Sequence, residues 1–200
     1  VLLCLFFLVE LNATPFYFKS YDMEDGLSNN HVTCCVQDDF GFMWFGTRDG
    51  LNRFDSKKFY TFKSYSSEKG SLMSSYILDL AKSPTGQIWV STNLGLQKYD
   101  YQTDSFTLID FTKGINCYSL QFDQQGNLWM ILNGYSLVKY NESQGMHLNY
   151  MYKGSDPITS FYITPQDQIW ATTANGNVVF LDDDKNEFIA LDIKNLDKNH

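Results

Sequence analysis

The sequence predicts an all-β chain and, within that class, a β-propeller of about four four-stranded antiparallel blades. Three observations point there. Trp44, Trp89, Trp129 and Trp170 stand 45, 40 and 41 residues apart, and a period of roughly 40–45 residues holding several short strands is the signature of propeller blades. The same local grammar surrounds each indole: Asp39-Phe40-Gly41-Phe42-Met43-Trp44-Phe45-Gly46-Thr47 aligns with Pro84-Thr85-Gly86-Gln87-Ile88-Trp89-Val90-Ser91-Thr92. Gln124-Gln125-Gly126-Asn127-Leu128-Trp129 and Pro165-Gln166-Asp167-Gln168-Ile169-Trp170 complete the set. Helical periodicity is missing, whereas segments such as Gln87-Ile88-Trp89-Val90-Ser91 alternate as strands do.

The elements follow in order. Val1–Val9 is an unbroken apolar run, too short for the roughly 20 residues of a spanning helix. It fits the apolar core of a secretory signal with Ala13 as a cleavage point. Residues 1–14 are therefore expected to be a signal remnant, in an incomplete reading frame or clipped chain that starts inside it; a buried N-terminal strand is the alternative. The string Phe18-Lys19-Ser20-Tyr21 recurs as Phe62-Lys63-Ser64-Tyr65. The later copy falls on the outer strand of the first blade, so the earlier one reads as an outer closure strand whose three partners lie elsewhere. Such a strand completes the last blade of a ring and hides an open edge. The propeller proper spans 15–200, with blades at about 31–65, 76–111, 115–153 and 157–191. It reads as part of a larger, seven-bladed ring, with a closed four-bladed ring as the competing arrangement.

Within the first blade the strands are expected at about 31–37, 42–47, 51–54 and 59–65. Turn residues separate them: Gly41, Gly86, Gly126 and Asp167 stand three before each Trp, and Gly50, Gly95, Gly134 and Gly176 five or six after. Tight hairpins need such residues for positive φ or for side chains that bond their own backbone. A small or medium apolar residue (Val32, Ile77, Cys117, Ile158) stands twelve before each Trp. The indoles themselves are expected between blades, where burying a large ring contributes roughly 2–3 kcal/mol.

Composition excludes several functions. The chain is 44% apolar and 16% aromatic, enough for a core and against disorder. Its net charge of −8, without a Lys/Arg cluster, argues against nucleic-acid binding, which depends on neutralising phosphates. Three histidines, His31, His147 and His200, are too few for a His-rich metal site. Cys4, Cys34, Cys35 and Cys117 form no C-x-x-C pair and read as small packing residues rather than zinc or redox ligands. Asp182-Asp183-Asp184 lacks the rest of a calcium loop and reads as a solvated hairpin tip. No nucleophile elbow or phosphate-binding loop is present. No catalytic residue, metal or cofactor is expected.

Asp25-Gly26-Leu27-Ser28-Asn29-Asn30-His31-Val32, followed by Gln37 to Asp55 with its core Gly41-Phe42-Met43-Trp44-Phe45-Gly46-Thr47-Arg48-Asp49-Gly50-Leu51-Asn52-Arg53-Phe54-Asp55, closely resembles the two-component regulator propeller repeat. The resemblance covers 16–191 and weakens along the chain; Asn133-Gly134-Tyr135 and Asp167 are its main departures. It implies the periplasmic sensor region of a hybrid two-component system of Bacteroides-like bacteria, exported by an N-terminal signal. Such proteins continue through further propeller blades, an immunoglobulin-like domain, a membrane helix, a histidine kinase and a receiver, act as homodimers, and respond to oligosaccharides released from glycans. Membrane contact and the phosphorelay would lie outside this chain, which itself would neither catalyse nor touch nucleic acid. The competing functions are a secreted propeller lyase or hydrolase acting on glycans, which would need paired carboxylates or a His/Tyr pair at the ring mouth, and a non-catalytic interaction propeller.

A ligand would meet the face where turns between second and third strands open beside the connections between blades. That face gathers Asn29, Asn30, Arg48, Asp49, Asn93, Asn133, Tyr135 and Asn175. Amides, a guanidinium and a phenol suit a sugar, though Asn and Asp also populate turns for backbone reasons. The residues expected to bind are Arg48, Asn93, Asn133, Tyr135 and Asn175, Arg48 foremost as a rigid fork of donors.

Overall fold

The computed structural model describes residues 17–65, 68–182 and 185–191. The signal reading of 1–14 and Asp183-Asp184 of the acidic hairpin lie outside the described residues. Sixteen strands form four antiparallel sheets, each in chain order. Blade 1 holds β1 (Val32–Gln37), β2 (Met43–Thr47), β3 (Gly50–Phe54) and β4 (Phe59–Phe62). Blade 2 holds β5 (Ile77–Lys82), β6 (Ile88–Thr92), β7 (Gly95–Asp100) and β8 (Ser105–Leu108). Blade 3 holds β9 (Cys117–Phe122), β10 (Leu128–Leu132), β11 (Ser136–Asn141) and β12 (Met146–Met151). Blade 4 holds β13 (Ile158–Ile163), β14 (Ile169–Thr173), β15 (Val178–Asp182) and β16 (Glu187–Ala190).

The first strands β1, β5, β9 and β13 lie side by side along the inner edge, each with a register shift near its start. Outer strand β4 ends at Phe62 rather than Tyr65 because Ser64 and Tyr65 turn their N–H groups to Ser75 and Ser71 hydroxyls instead of a ladder. Residues 17–22 carry no strand; the closure segment has no ladder partner among the described residues. Tyr21 instead lies edge-on to Phe54 and Phe59 at 4.9 and 5.9 Å.

Three apolar cores join successive blades, one around Trp44, Leu51, Ile77 and Tyr99, the next around Trp89, Leu96, Met130 and Tyr140, the third around Trp129, Ile131, Ile158 and Val179. None joins blade 4 to blade 1, so the described residues form an open arc and not the closed four-bladed ring. Two apolar faces are left over. On blade 1 an apolar groove of about 310 Å³ is lined by Tyr21, Leu27, Val32, Met43, Phe45, Phe54 and Phe59. On blade 4, Trp170 meets Phe180 of its own blade at 5.6 Å.

The turn between the first two strands of a blade is built around an acceptor six residues before the Trp. Asp38 Oδ1 accepts from Phe40 N and Phe42 N, and its Oδ2 accepts from Trp44 Nε1 at 2.8 Å and from the Tyr101 hydroxyl at 3.1 Å. Asp123 does the same for Trp129 Nε1 at 3.0 Å. Blade 2 has Ser83 in this slot, and Trp89 Nε1 is buried without a partner. Blade 4 has Thr164, whose hydroxyl still accepts from Gln168 N at 3.1 Å. Asp167, in the slot of Gly41, Gly86 and Gly126, adopts the same left-handed backbone with φ 59°. Its carboxylate also receives Gln124 N and Gln125 Nε2 from blade 3, which gives a physical reason for the departure. Gly46 is needed for approach: a Cβ there would stand 2.5 Å from Cys34 Sγ and 2.6 Å from Ile77 Cγ2.

Candidate functional site

The face opening from the turns after β2, β6, β10 and β14 is the candidate site. All five side chains expected to bind lie on it and are exposed: Arg48, Asn93, Asn133, Tyr135 and Asn175. They divide by what else they do. Asn133 has φ 50°, and its Oδ1 accepts from Asn116 N at 3.2 Å, so it shapes its turn. Asn29 and Asn30 likewise spend their side-chain oxygens on His31 N and Met23 N. Asp49 is not a partner for Arg48: its Oδ2 pairs with Lys63 Nζ at 2.7 Å. The Arg48 guanidinium has no partner among the described residues, so its donors stay available to a ligand. Tyr135, 42% exposed, presents its ring beside the turn. Asn175 is anchored through its backbone, whose N–H donates to Asp156 Oδ2 at 3.2 Å.

Sequence reasoning missed a second row. The residue thirteen before each Trp, directly ahead of the inner strand, is His31, Tyr76, Asn116 or Pro157. Its carbonyl takes the N–H of the neighbouring turn: Arg48 N to His31 O at 3.3 Å, Asn133 N to Asn116 O at 3.0 Å, and Ala174 N to Pro157 O at 2.9 Å. These bonds place His31 directly inside Arg48 and Asn116 directly inside Asn133. The signal was present as a position that varies beside the constant apolar residue at minus twelve. Together the two rows offer an unpaired cation, amides, an imidazole and two phenols on an open surface, a set able to bond hydroxyls and stack on a flat ring. Among the described residues no cluster of His, Cys, Asp or Glu is suited to a metal ion.

Below this face the inner strands carry ionisable groups that are buried (Cys117) or half-buried (Cys34, Asp79). Burial pushes the Cys34 and Cys117 thiols up to about 12, which keeps both protonated and unreactive. Asp79 on β5 accepts from Leu120 N of blade 3 at 2.7 Å and from Leu80 N at 2.8 Å. Burial nonetheless outweighs these bonds and raises its carboxyl above the ordinary 3.8. A carboxyl raised on folding favours the native state below its unfolded value and loses that contribution as pH rises through the folded value. Asp79→Asn removes the charge but leaves one oxygen for the two N–H groups that Asp79 accepts from. Its denaturant midpoint relative to the wild type should therefore rise as the pH is raised from 3.8 to 7. Denaturant titrations across that range check it; a difference independent of pH would refute the role of the charge.

Four-stranded antiparallel sheets packed face to face through one indole per repeat define a β-propeller. More particularly, residues 26–49 match the family model described as two component regulator propeller. Over 67 residues it is 46% identical to histidine kinase P4 of Formosa agariphila, a match covering 32% of this chain and 5% of that protein. Among solved structures it is similar to the extracellular domain of the hybrid two component system BT3049 from B. thetaiotaomicron, with a TM-score of 0.78 and 23% identity over 88% of this chain and 26% of that one. Virginiamycin B lyase from Staphylococcus aureus shares the fold at a TM-score of 0.62 and 13% identity, covering 82% of this chain and 56% of the lyase. The chain thus spans a small part of its two-component relatives. Among the described residues no helix is long and apolar enough to cross a membrane.

Proposed function

We propose that this chain is part of the extracytoplasmic, periplasmic sensor propeller of a hybrid two-component protein, and that its mouth face takes an oligosaccharide released from a glycan. Occupancy would bias a homodimeric kinase through differential affinity for two arrangements, regulating genes for using the parent polysaccharide. The observation that carries the reading is a two-component regulator propeller repeat at 26–49 whose own turn presents Arg48 unpaired on the mouth face. In the same reading the arc continues into a larger ring. Phe54 occupies the slot of Tyr99 and Tyr140, which receive Trp44 and Trp89 of the preceding blade at 4.8 and 6.1 Å. The groove beside Phe54 is therefore shaped to receive an indole from a blade before it.

Isothermal titration of the protein carrying the complete ring against a panel of glycan fragments tests the proposal. One fragment class should bind, and Arg48→Ala should weaken it about tenfold to a hundredfold, the loss of a charge-assisted hydrogen bond. The unfolding midpoint should not move, since the side chain has no partner among the described residues. Binding that ignores Arg48 would remove the mouth face from the site. The lyase likeness favours one alternative, a propeller enzyme; cleavage or elimination of any fragment would establish that reading instead.

A further inference from the structure

We propose that the joint between blades 2 and 3 holds a second ligand site, at the end of the blades opposite the mouth face, and that it takes one neutral hexopyranose unit. The inference is independent of the mouth-face reading and rests on two joints built from the same repeat positions. Between blades 1 and 2 the far end of the joint is filled. Asp38, six before its Trp, takes Trp44 Nε1 at 2.8 Å and the Tyr101 hydroxyl at 3.1 Å. Tyr101 follows directly on β7, and its ring lies 5.1 Å from that of Phe40, four before the Trp. At the next joint the same positions hold Ser83, Glu142 (directly after β11) and Thr85. A carboxylate and two aromatic rings are thereby missing.

What remains is a hollow of about 340 Å³, bordered by these three side chains and by Pro84, Phe122, Gln124 and Gln125. Ser83 Oγ turns to Gln87 N at 3.0 Å and to Thr85 Oγ1 at 2.9 Å, and buried Trp89 Nε1 has no acceptor. Buried N–H groups nearly always have one, so this joint lacks an oxygen that Asp38 and Asp123 supply in the flanking blades. The wall selects the ligand. Gln124 and Gln125 spend their Nε2 groups on Pro165 O and Asp167 of blade 4, which leaves both Oε1 atoms without a donor among the described residues. Glu142 pairs with Lys98 through Oε1 and keeps Oε2. The Ser83–Thr85 pair has one hydroxyl proton to spare. A cation finds Glu142 already neutralised, and an anion finds no uncommitted cation lining the hollow. Hydroxyls donate and accept alike, so a neutral ring rich in them satisfies this wall, with Pro84 and Phe122 to meet its apolar face. The volume stands near the lower end of the roughly 300–1,000 Å³ of ligand pockets, which suits a single ring.

Saturation-transfer NMR on the protein carrying the complete ring, with free glucose, galactose and mannose as probes, tests this. At least one hexose should receive saturation, with a dissociation constant on the order of millimolar, as expected of so small a ligand. Ser83→Asp combined with Glu142→Tyr gives this joint the carboxylate and phenol of the first. It should weaken binding about tenfold or more and raise the unfolding midpoint, since Trp89 Nε1 gains an acceptor. Thr85→Val, at an exposed position, removes a hydroxyl without refilling the hollow; it should weaken binding several-fold and keeps the test decisive if the double variant does not fold. Arg48→Ala, on the mouth face, should leave this binding unchanged. Saturation of none of the three hexoses, or binding that Arg48→Ala abolishes while both joint variants retain it, would overturn the proposal. So would displacement of the bound hexose by p-cresol at equal concentration, which would mark the hollow as a pocket for a bare phenol ring.

Discussion

Replacing Trp44 by alanine is expected to cost about 3–5 kcal/mol, the range for emptying a buried aromatic site. The residue has no exposed surface. Its ring stacks on Phe62 at 5.8 Å and meets Tyr99 of blade 2 edge-on at 4.8 Å, while Nε1 donates to Asp38 at 2.8 Å. Truncation would thus empty the core shared by two blades and leave a buried carboxylate short of a donor. Trp170 fills the same slot of the fourth repeat, but the described residues bring no further blade against it. Trp170→Ala should cost only about 1 kcal/mol in this chain. Urea unfolding followed by circular dichroism separates the two. Equal losses would mean that the indoles stabilise single sheets and not the joints between them.

This contrast shows why the fold was legible and the site less so. Every blade must fill the same gap against its neighbour, so one large ring recurs at one strand position and the period stands out of the sequence. The Gly slots recur for a similar reason, since the hairpins need left-handed backbone; Asp167, at φ 59°, satisfies the same need. The acceptor six before each Trp was harder to see, because Asp38, Ser83, Asp123 and Thr164 do related work with different chemistry. At the mouth the difficulty is one of kind. Asn133 and Arg48 look alike as polar turn residues, yet one shapes its own backbone and the other is free. What frees Arg48 is Lys63, fourteen residues beyond Asp49, which reaches back from just past β4 to take that carboxylate. Local sequence does not report a pair of that span. Outer-strand length was overestimated for the same reason, since Ser71 and Ser75 capture the backbone after Phe62.

The second large effect is expected at Asp123, where an anion is held in the same turn that Asp38 builds in blade 1. Its side chain is 2% exposed. It accepts from Asn127 N and Nδ2 and from Trp129 Nε1, and pairs with Lys139 Nζ at 3.3 Å. Burial alone would push the carboxyl up, but these bonds together outweigh it and hold the group below the ordinary 3.8. Asp123→Ala would strand three buried donors and leave Lys139, lying over the Trp129 ring at 5.2 Å, without its counter-charge. A loss of about 3–4 kcal/mol at pH 7 is expected. Asp123→Asn, which keeps an oxygen for Trp129, should lose about 1–2 kcal/mol. The sign with pH is opposite to that of Asp79. A carboxyl lowered on folding stabilises the native state above its unfolded value, and that contribution is lost as pH falls through the folded value. The stability gap between wild type and Asp123→Ala should therefore be constant from pH 7 down to about pH 5 and close below the ordinary aspartate value of 3.8. Unfolding curves of both proteins over that span decide it. A gap that persisted unchanged into acid would show that the carboxylate acts through shape alone, and that its charge does nothing for the turn.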